Sequence, residues 1–161
     1  MFQHSLSFIL ITETWNNFFF SQDQMLDYGC SRYTFYAESQ RESVNFVKSR
    51  GMCKVKGSDL VSIESKEEWN FLKDTMNKFP RKGTEYFIGL TKDKDGNWTW
   101  ISDNSTVNEP YWAPYGPKNK NNERCAVMYK DYNKNYGLFD DLSCTAKRHG
   151  YICESEYHVV C

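Results

Sequence analysis

The chain has no excess of charge of one sign: 20 basic and 21 acidic residues leave a formal charge of −1 over 161 residues. Charges interspersed in this balance give no electrostatic footprint for nucleic acid or an anionic membrane, so nucleic acid is excluded as a partner class. No apolar run approaches the roughly 18 residues needed to cross a bilayer. The histidines, at positions 4, 149 and 158, are few and scattered, and no Cys-x-x-Cys pair occurs, which disfavours a zinc site. A nucleophile elbow and a Gly-rich phosphate loop are both missing, so nothing supports an enzyme. Internal repeats are absent, and the Asn/Lys-rich stretch 118–124 is too short to form a disordered region.

What the chain does have is cysteine, at positions 30, 53, 125, 144, 153 and 161, and an aromatic content of 17%. Cysteines in this number without metal-ligand spacing read as disulfides, hence an extracellular, oxidising compartment. Two sequons, at Asn97 and Asn104, mark candidate glycosylation sites and agree with that placement. The length suits one domain, because about two-thirds or more of the unfolded chain's surface can be buried at this size. The aromatics sit among Asn, Lys, Asp and Ser rather than in aliphatic runs, as expected of a loop-rich domain with amphipathic surfaces.

Residues 1–29 show no clean period, and the short apolar run from Leu6 to Ile11 lacks a basic flank and a small-residue cleavage site. They read as a leader or stalk, residues 30–155 as the domain, and 156–161 as a C-terminal tail. Tyr33–Tyr36 predicts a short aromatic strand. Ser39 to Glu42 has the form of a capping box that opens a helix through Phe46, Val47 and Cys53, with Gly57 ending it. Ser65 to Glu68 forms a second capping box ahead of Trp69, Leu72 and Met76 at helical spacing. Strands are expected at Leu60–Ile63, Tyr86–Leu90, Trp98–Ile101, Ala126–Tyr129 and Gly150–Cys153, and Asp93–Gly96 as a hairpin turn rather than an EF-hand start. Helices first and strands later give an α+β domain. Phe87, Trp98, Trp100 and Tyr129 read as core, and His149 as surface loop.

The ordered set from Tyr33 to Glu154 resembles the C-type lectin-like domain family: Cys53 late in a first helix, Leu-Val-Ser-Ile-Glu-Ser at 60–65, an acidic second helix and Phe-Ile-Gly-Leu at 87–90. Trp98-x-Trp100, Tyr111-Trp112, Cys125, Cys144 and Cys153 complete it. It covers about three-quarters of the chain. The resemblance implies two helices with antiparallel sheets and a long loop region, stapled by Cys53–Cys153 and Cys125–Cys144. By loop entropy those bridges contribute about 4–5 and about 3 kcal/mol. Cys30 and Cys161 remain, open to pairing with each other or to linking two chains as a disulfide-bonded dimer.

Sugar-binding members of that family hold calcium with a Glu-Pro-Asn or Gln-Pro-Asp triplet, a Glu before the third cysteine and an Asn-Asp pair before the fourth. The register set by Trp112 places Gly116-Pro117-Lys118 at the triplet, with an ammonium where a cation's ligand belongs. Glu123, Asp140 and Asp141 remain, three carboxylates of five expected side-chain ligands, while Glu109-Pro110 precedes Trp112 and reads as a decoy. At a second, structural calcium position stand Lys92, Asn119 and Arg124. The implied cofactor is none, with calcium the one candidate, since it prefers six to eight hard oxygens.

The resemblance implies an extracellular recognition domain, secreted or the ectodomain of a membrane protein, that binds a protein or a glycan without calcium. Tyr111, Trp112, Tyr115, Lys118 and Glu123 are the expected ligand-contacting residues on the loop surface. The alternatives are a calcium-dependent lectin with a degenerate site and a spacer module of a larger receptor or matrix protein.

Overall fold

A computed structural model describes residues 24–37, 44–79, 85–107, 111–131 and 134–156. A hairpin comes first, strand β1 (Gln24–Tyr28) paired antiparallel with β2 (Ser31–Tyr36) across a turn at Gly29 and Cys30. Strand β1 lies inside the segment read as leader or stalk.

Helix α1 spans Phe46–Val55. Its N-cap is Asn45, whose Oδ1 accepts the Lys48 amide at 3.0 Å. The box expected at Ser39 to Glu42 lies outside the described residues. The helix buries Phe46, Ser49 and Cys53 on one face and leaves Val47 and Val55 exposed. Gly57 terminates it as expected: at φ +72° it adopts the left-handed turn, and its N–H bonds back to the Lys54 carbonyl at 3.1 Å.

Strand β3 is short, Asp59–Leu60, and helix α2 runs Lys66–Asn77. Ser65 caps α2 by accepting the Glu68 amide at 3.1 Å, and Glu67 and Glu68 place negative charge in the first turn. The reciprocal half of the capping box takes another form. Glu68 Oε2 accepts the Glu64 amide at 2.8 Å, one residue beyond the cap, and Oε1 accepts the Tyr33 hydroxyl at 2.9 Å. The buried stripe of α2 is Glu68, Leu72, Thr75 and Met76.

Strands β4 (Glu85–Lys92), β5 (Trp98–Trp100), β6 (Glu123–Tyr129), β7 (Phe139–Ser143) and β8 (Gly150–Glu156) complete the chain's elements. The sheet order is β1-β2-β8-β4-β6-β7, with β3 on β8 and β5 on β4. The last strand thus enters the middle of the sheet. It pairs antiparallel with β2 and parallel with β4, while the other pairings between the described strands are antiparallel. Gly150 permits the close approach there, since a Cβ would lie 2.7 Å from the Tyr36 carbonyl and the Tyr86 ring. The β4–β5 turn is the expected hairpin: Asp93 Oδ1 accepts the amides of Asp95 and Asn97, each at 2.8 Å.

The core forms two clusters. One holds Phe35, Leu72, Met76, Tyr86, Trp100 and Phe139 under α2; the other holds Phe46, Phe87, Val127 and Tyr151 under α1. Phe87, Trp98, Trp100 and Tyr129 are all buried. Cys53–Cys153 ties α1 to β8, and Cys125–Cys144 ties β6 to the turn after β7. Cys30 is also disulfide-bonded, and Cys161 lies outside the described residues. His149 is packed rather than a surface-loop residue, its Nδ1 3.2 Å from Glu85 Oε2 and its ring edge-on to Phe87.

Glu68 and Glu154 face each other across the Tyr33 hydroxyl. Glu154 Oε1 accepts from Ser31 Oγ at 2.7 Å and its Oε2 from the Ser62 amide at 3.2 Å. Burial, reinforced by the neighbouring Glu154 and Glu64 charges, pushes Glu68 up to about 7; burial raises Glu154 as well. Tyr33 is pushed up by burial and by both carboxylates. The folded state holds the Glu68 proton more tightly than the unfolded chain does. Its stabilising contribution is therefore fully present below the ordinary carboxyl value of 4.5 and is lost as pH rises through about 7. Glu68→Gln should flatten this dependence: between pH 5 and 8 the wild-type melting temperature falls more than the variant's, by about 4–8 °C. Equal slopes in thermal melts would sink the assignment.

Candidate functional site

The loop surface expected to bind a ligand is anchored on β7. Residues 111–113 run beside that strand, with the Phe139 amide donating to the Tyr111 carbonyl at 2.6 Å and the Ala113 amide to the Phe139 carbonyl at 2.8 Å. This backbone ladder turns the Tyr111 and Trp112 rings onto the core. Tyr111 stacks on Trp69 at 4.2 Å, and Trp112 packs on Trp98 at 4.9 Å and edge-on to Phe139. Both are half-buried wall residues. Tyr115, at 88% exposure, projects into solvent.

The chain then passes through Gly116 and a cis Gly116–Pro117 bond. Gly116 lies so close to β7 that a Cβ there would sit 3.2 Å from Asp140 Oδ1 and 3.3 Å from the Phe139 carbonyl. Beyond the proline, the amides of Lys118 and Asn119 donate to the two oxygens of Asp141 at 2.6 and 2.7 Å. Asp141, 2% exposed, thus acts as a clamp that holds the loop backbone against the sheet. Asp140 Oδ2 accepts from Lys118 Nζ and from the Tyr129 hydroxyl, while Oδ1 accepts the Asp141 amide at 3.0 Å. Burial alone would lower Lys118, but the Asp140 hydrogen bond and charge, with Asp141 and Glu123 behind them, hold it above its ordinary value. It remains an ammonium.

The three carboxylates named from sequence therefore do come together, around an ammonium supplied by the chain. Asp141 is occupied by backbone donors, Asp140 by Lys118 and Tyr129. Glu123 Oε1 lies 3.3 Å from Lys120 Nζ, and its Oε2 is buried with no hydrogen-bond partner among the described residues. One unoccupied carboxylate oxygen next to a fixed positive charge does not suit calcium, which needs six or more oxygens. The second position is likewise filled from within: Lys92 Nζ donates to Asn119 Oδ1 at 2.9 Å, and the Arg124 guanidinium donates to the Lys92 carbonyl at 2.9 and 3.3 Å.

The Tyr129 hydroxyl was missed as a functional group because the residue reads as core; the signal was that a buried tyrosine requires a polar partner for its hydroxyl. Asn97 and Asn104 are both exposed, on segments joined by a bridge between Thr99 and Thr106. A cleft of about 440 Å³ lies apart from Lys118, between residues 63–66 and 103–107, with Tyr111 in its wall.

A family model described as Lectin C-type domain matches residues 42–155. E-selectin from Bos taurus is 31% identical over 118 residues, an alignment that covers 71% of this chain and 24% of that protein. The chain thus spans about a quarter of that relative's length. The mouse scavenger receptor C-type lectin carbohydrate-recognition domain superposes with a TM-score of 0.69 at 28% identity, over 85% of this chain and 97% of that one. A calcium-independent type II antifreeze protein superposes with a TM-score of 0.63 at 26% identity, over 82% and 91%. The chain belongs to the C-type lectin domain family.

Removing the Lys118 ammonium leaves Asp140 desolvated with one fewer donor, so Lys118→Ala should cost about 1–3 kcal/mol. In a denaturation double-mutant cycle with Asp140→Asn, the coupling should be at least about 1 kcal/mol; additive losses would show that the pair does not act as a unit.

Proposed function

We propose that this chain is an extracellular recognition domain that binds a protein or a glycan without calcium, through the loop surface of residues 111–124. The observation that carries this reading is Lys118, whose ammonium binds Asp140, one of the carboxylates a metal would need, while Asp141 holds the loop through the amides of Lys118 and Asn119. The likeness to a calcium-independent relative of the same fold supports it. The disulfides and exposed sequons favour an extracellular setting, as a secreted protein or a receptor ectodomain. Tyr115 is the contact residue of this surface, Lys118 follows it on the same loop, and Tyr111 and Trp112 serve as its scaffold.

Calcium-dependent binding is the competing reading, and the free Glu123 Oε2 favours it. On the proposed reading, millimolar calcium added to chelator-treated protein leaves the melting temperature unchanged and gives no heat in titration calorimetry. A raised melting temperature with a saturable heat would overturn it.

The division of roles among the aromatics is separately testable. Trp112→Ala should destabilise the domain by about 2–4 kcal/mol in chemical denaturation. Tyr115→Ala should change stability by less than about 0.5 kcal/mol. A destabilised Tyr115→Ala protein would contradict its placement as a free contact residue.

A further inference from the structure

We propose that the corner where β4 ends, β6 begins and the loop 118–122 crosses between them is a binding site for sulfated glycans. The inference rests on the calcium-independent reading above and deepens it. Four cations, Lys92, Lys118, Lys120 and Arg124, meet three carboxylates here, Glu123, Asp140 and Asp141. Formal charge nearly cancels, but its placement does not.

The carboxylates face inward. The side chains of Asp140 and Glu123 are 12% and 15% exposed, and Asp141 is 2% exposed and bound by two backbone amides. Three of the cations face outward, the Lys120 side chain 65% exposed, the Lys118 side chain 40% and Arg124 exposed, while Lys92 is half-buried. Among the described residues, Lys92 and Arg124 donate to neutral oxygens, those of Asn119 and of the Lys92 carbonyl. An ammonium has three donors and a guanidinium five, so both keep most of their capacity for an incoming anion. At the hairpin tip Asp95 offsets Lys94, and neither adds to the balance.

The contacts also set these groups side by side. Arg124 bonds to the Lys92 carbonyl, Lys92 Nζ reaches Asn119, and Asn119 is held to the sheet by Asp141. Asn119 thus ties the Lys92 ammonium to the loop, while the Arg124 guanidinium is anchored on the end of β4. A forked guanidinium and an ammonium each suit the oxygens of a sulfate. The exposed amides of Asn121 and Asn122 stand next to them and suit sugar hydroxyls. A protein partner would require an apolar centre, and Tyr115 is the one large hydrophobic side chain exposed on this loop among the described residues.

The test is titration calorimetry of the full, disulfide-bonded chain with a size-defined heparin oligosaccharide, its desulfated counterpart and poly-glutamate, in chelator and in calcium. The expected result is binding of the sulfated oligosaccharide alone, equal with and without calcium and weakening with salt. Lys92→Gln with Arg124→Gln should weaken it at least tenfold and make the salt dependence shallower. Lys66→Gln with Lys78→Gln on α2, which removes the same charge, should not. Lys120→Gln alone, whose ammonium pairs with Glu123 among the described residues, should weaken binding several-fold and serves if the double variant does not fold. No binding, equal binding of the desulfated sugar or poly-glutamate, or indifference to these substitutions would overturn the site and leave calcium independence standing. Binding that requires calcium would overturn the calcium-independent reading itself.

Discussion

A carboxylate taken out of water must find a cation, a set of donors or a proton, and Asp140, Asp141, Glu68 and Glu154 are held under that constraint. Each meets the constraint differently. Asp140 has an ammonium and a phenol, Asp141 two loop amides, and Glu68 and Glu154 face each other and are pushed toward their protonated forms. The placement of the remaining parts follows from these choices. Asp141 sets where the long loop crosses β7; Glu68 sets how the β3–α2 segment meets β2.

On the proposed reading, the functional consequence is that the loop corner keeps its shape through its own contacts, from Lys118 to Asp140 and from loop amides to Asp141. A bound cation would bridge β7 to the loop through oxygen ligands; here the loop's own Lys118 bridges to Asp140 and its backbone bonds to Asp141. The domain pays for this arrangement by fixing a positive charge permanently at the corner. That charge, with Lys92 and Arg124 behind it, turns a surface that could hold a cation into one that presents cations to its surroundings.

Much of the architecture was legible because local chemistry and tertiary packing agreed. Ser65 and Gly57 mark helix ends through their own hydrogen-bonding and backbone freedom, and the aromatic bursts at 86–90, 98–101 and 126–129 became buried strands. Two strands were not legible. β1 has exposed Met25, Leu26 and Tyr28 without a buried face, and β7 carries Asp140 and Asp141, residues of low strand propensity that hold their place through donors from distant parts of the chain. The half-burial of Tyr111 and Trp112 was not legible for a related reason: a Pro- and Gly-rich loop suggests exposure, and only the ladder to Phe139 turns their rings inward.

The sequence by itself determined the α+β class, the family, the four cysteines of the two stapled pairs and the loss of the calcium triplet at Gly116-Pro117-Lys118, because each depends on residue identity and order. The tertiary structure decided which side of each residue faces water. Whether Lys118 extends into solvent or binds Asp140, and whether the acids or the cations of that corner reach solvent, depends on contacts between residues 22 and 23 positions apart, and no local pattern encodes those.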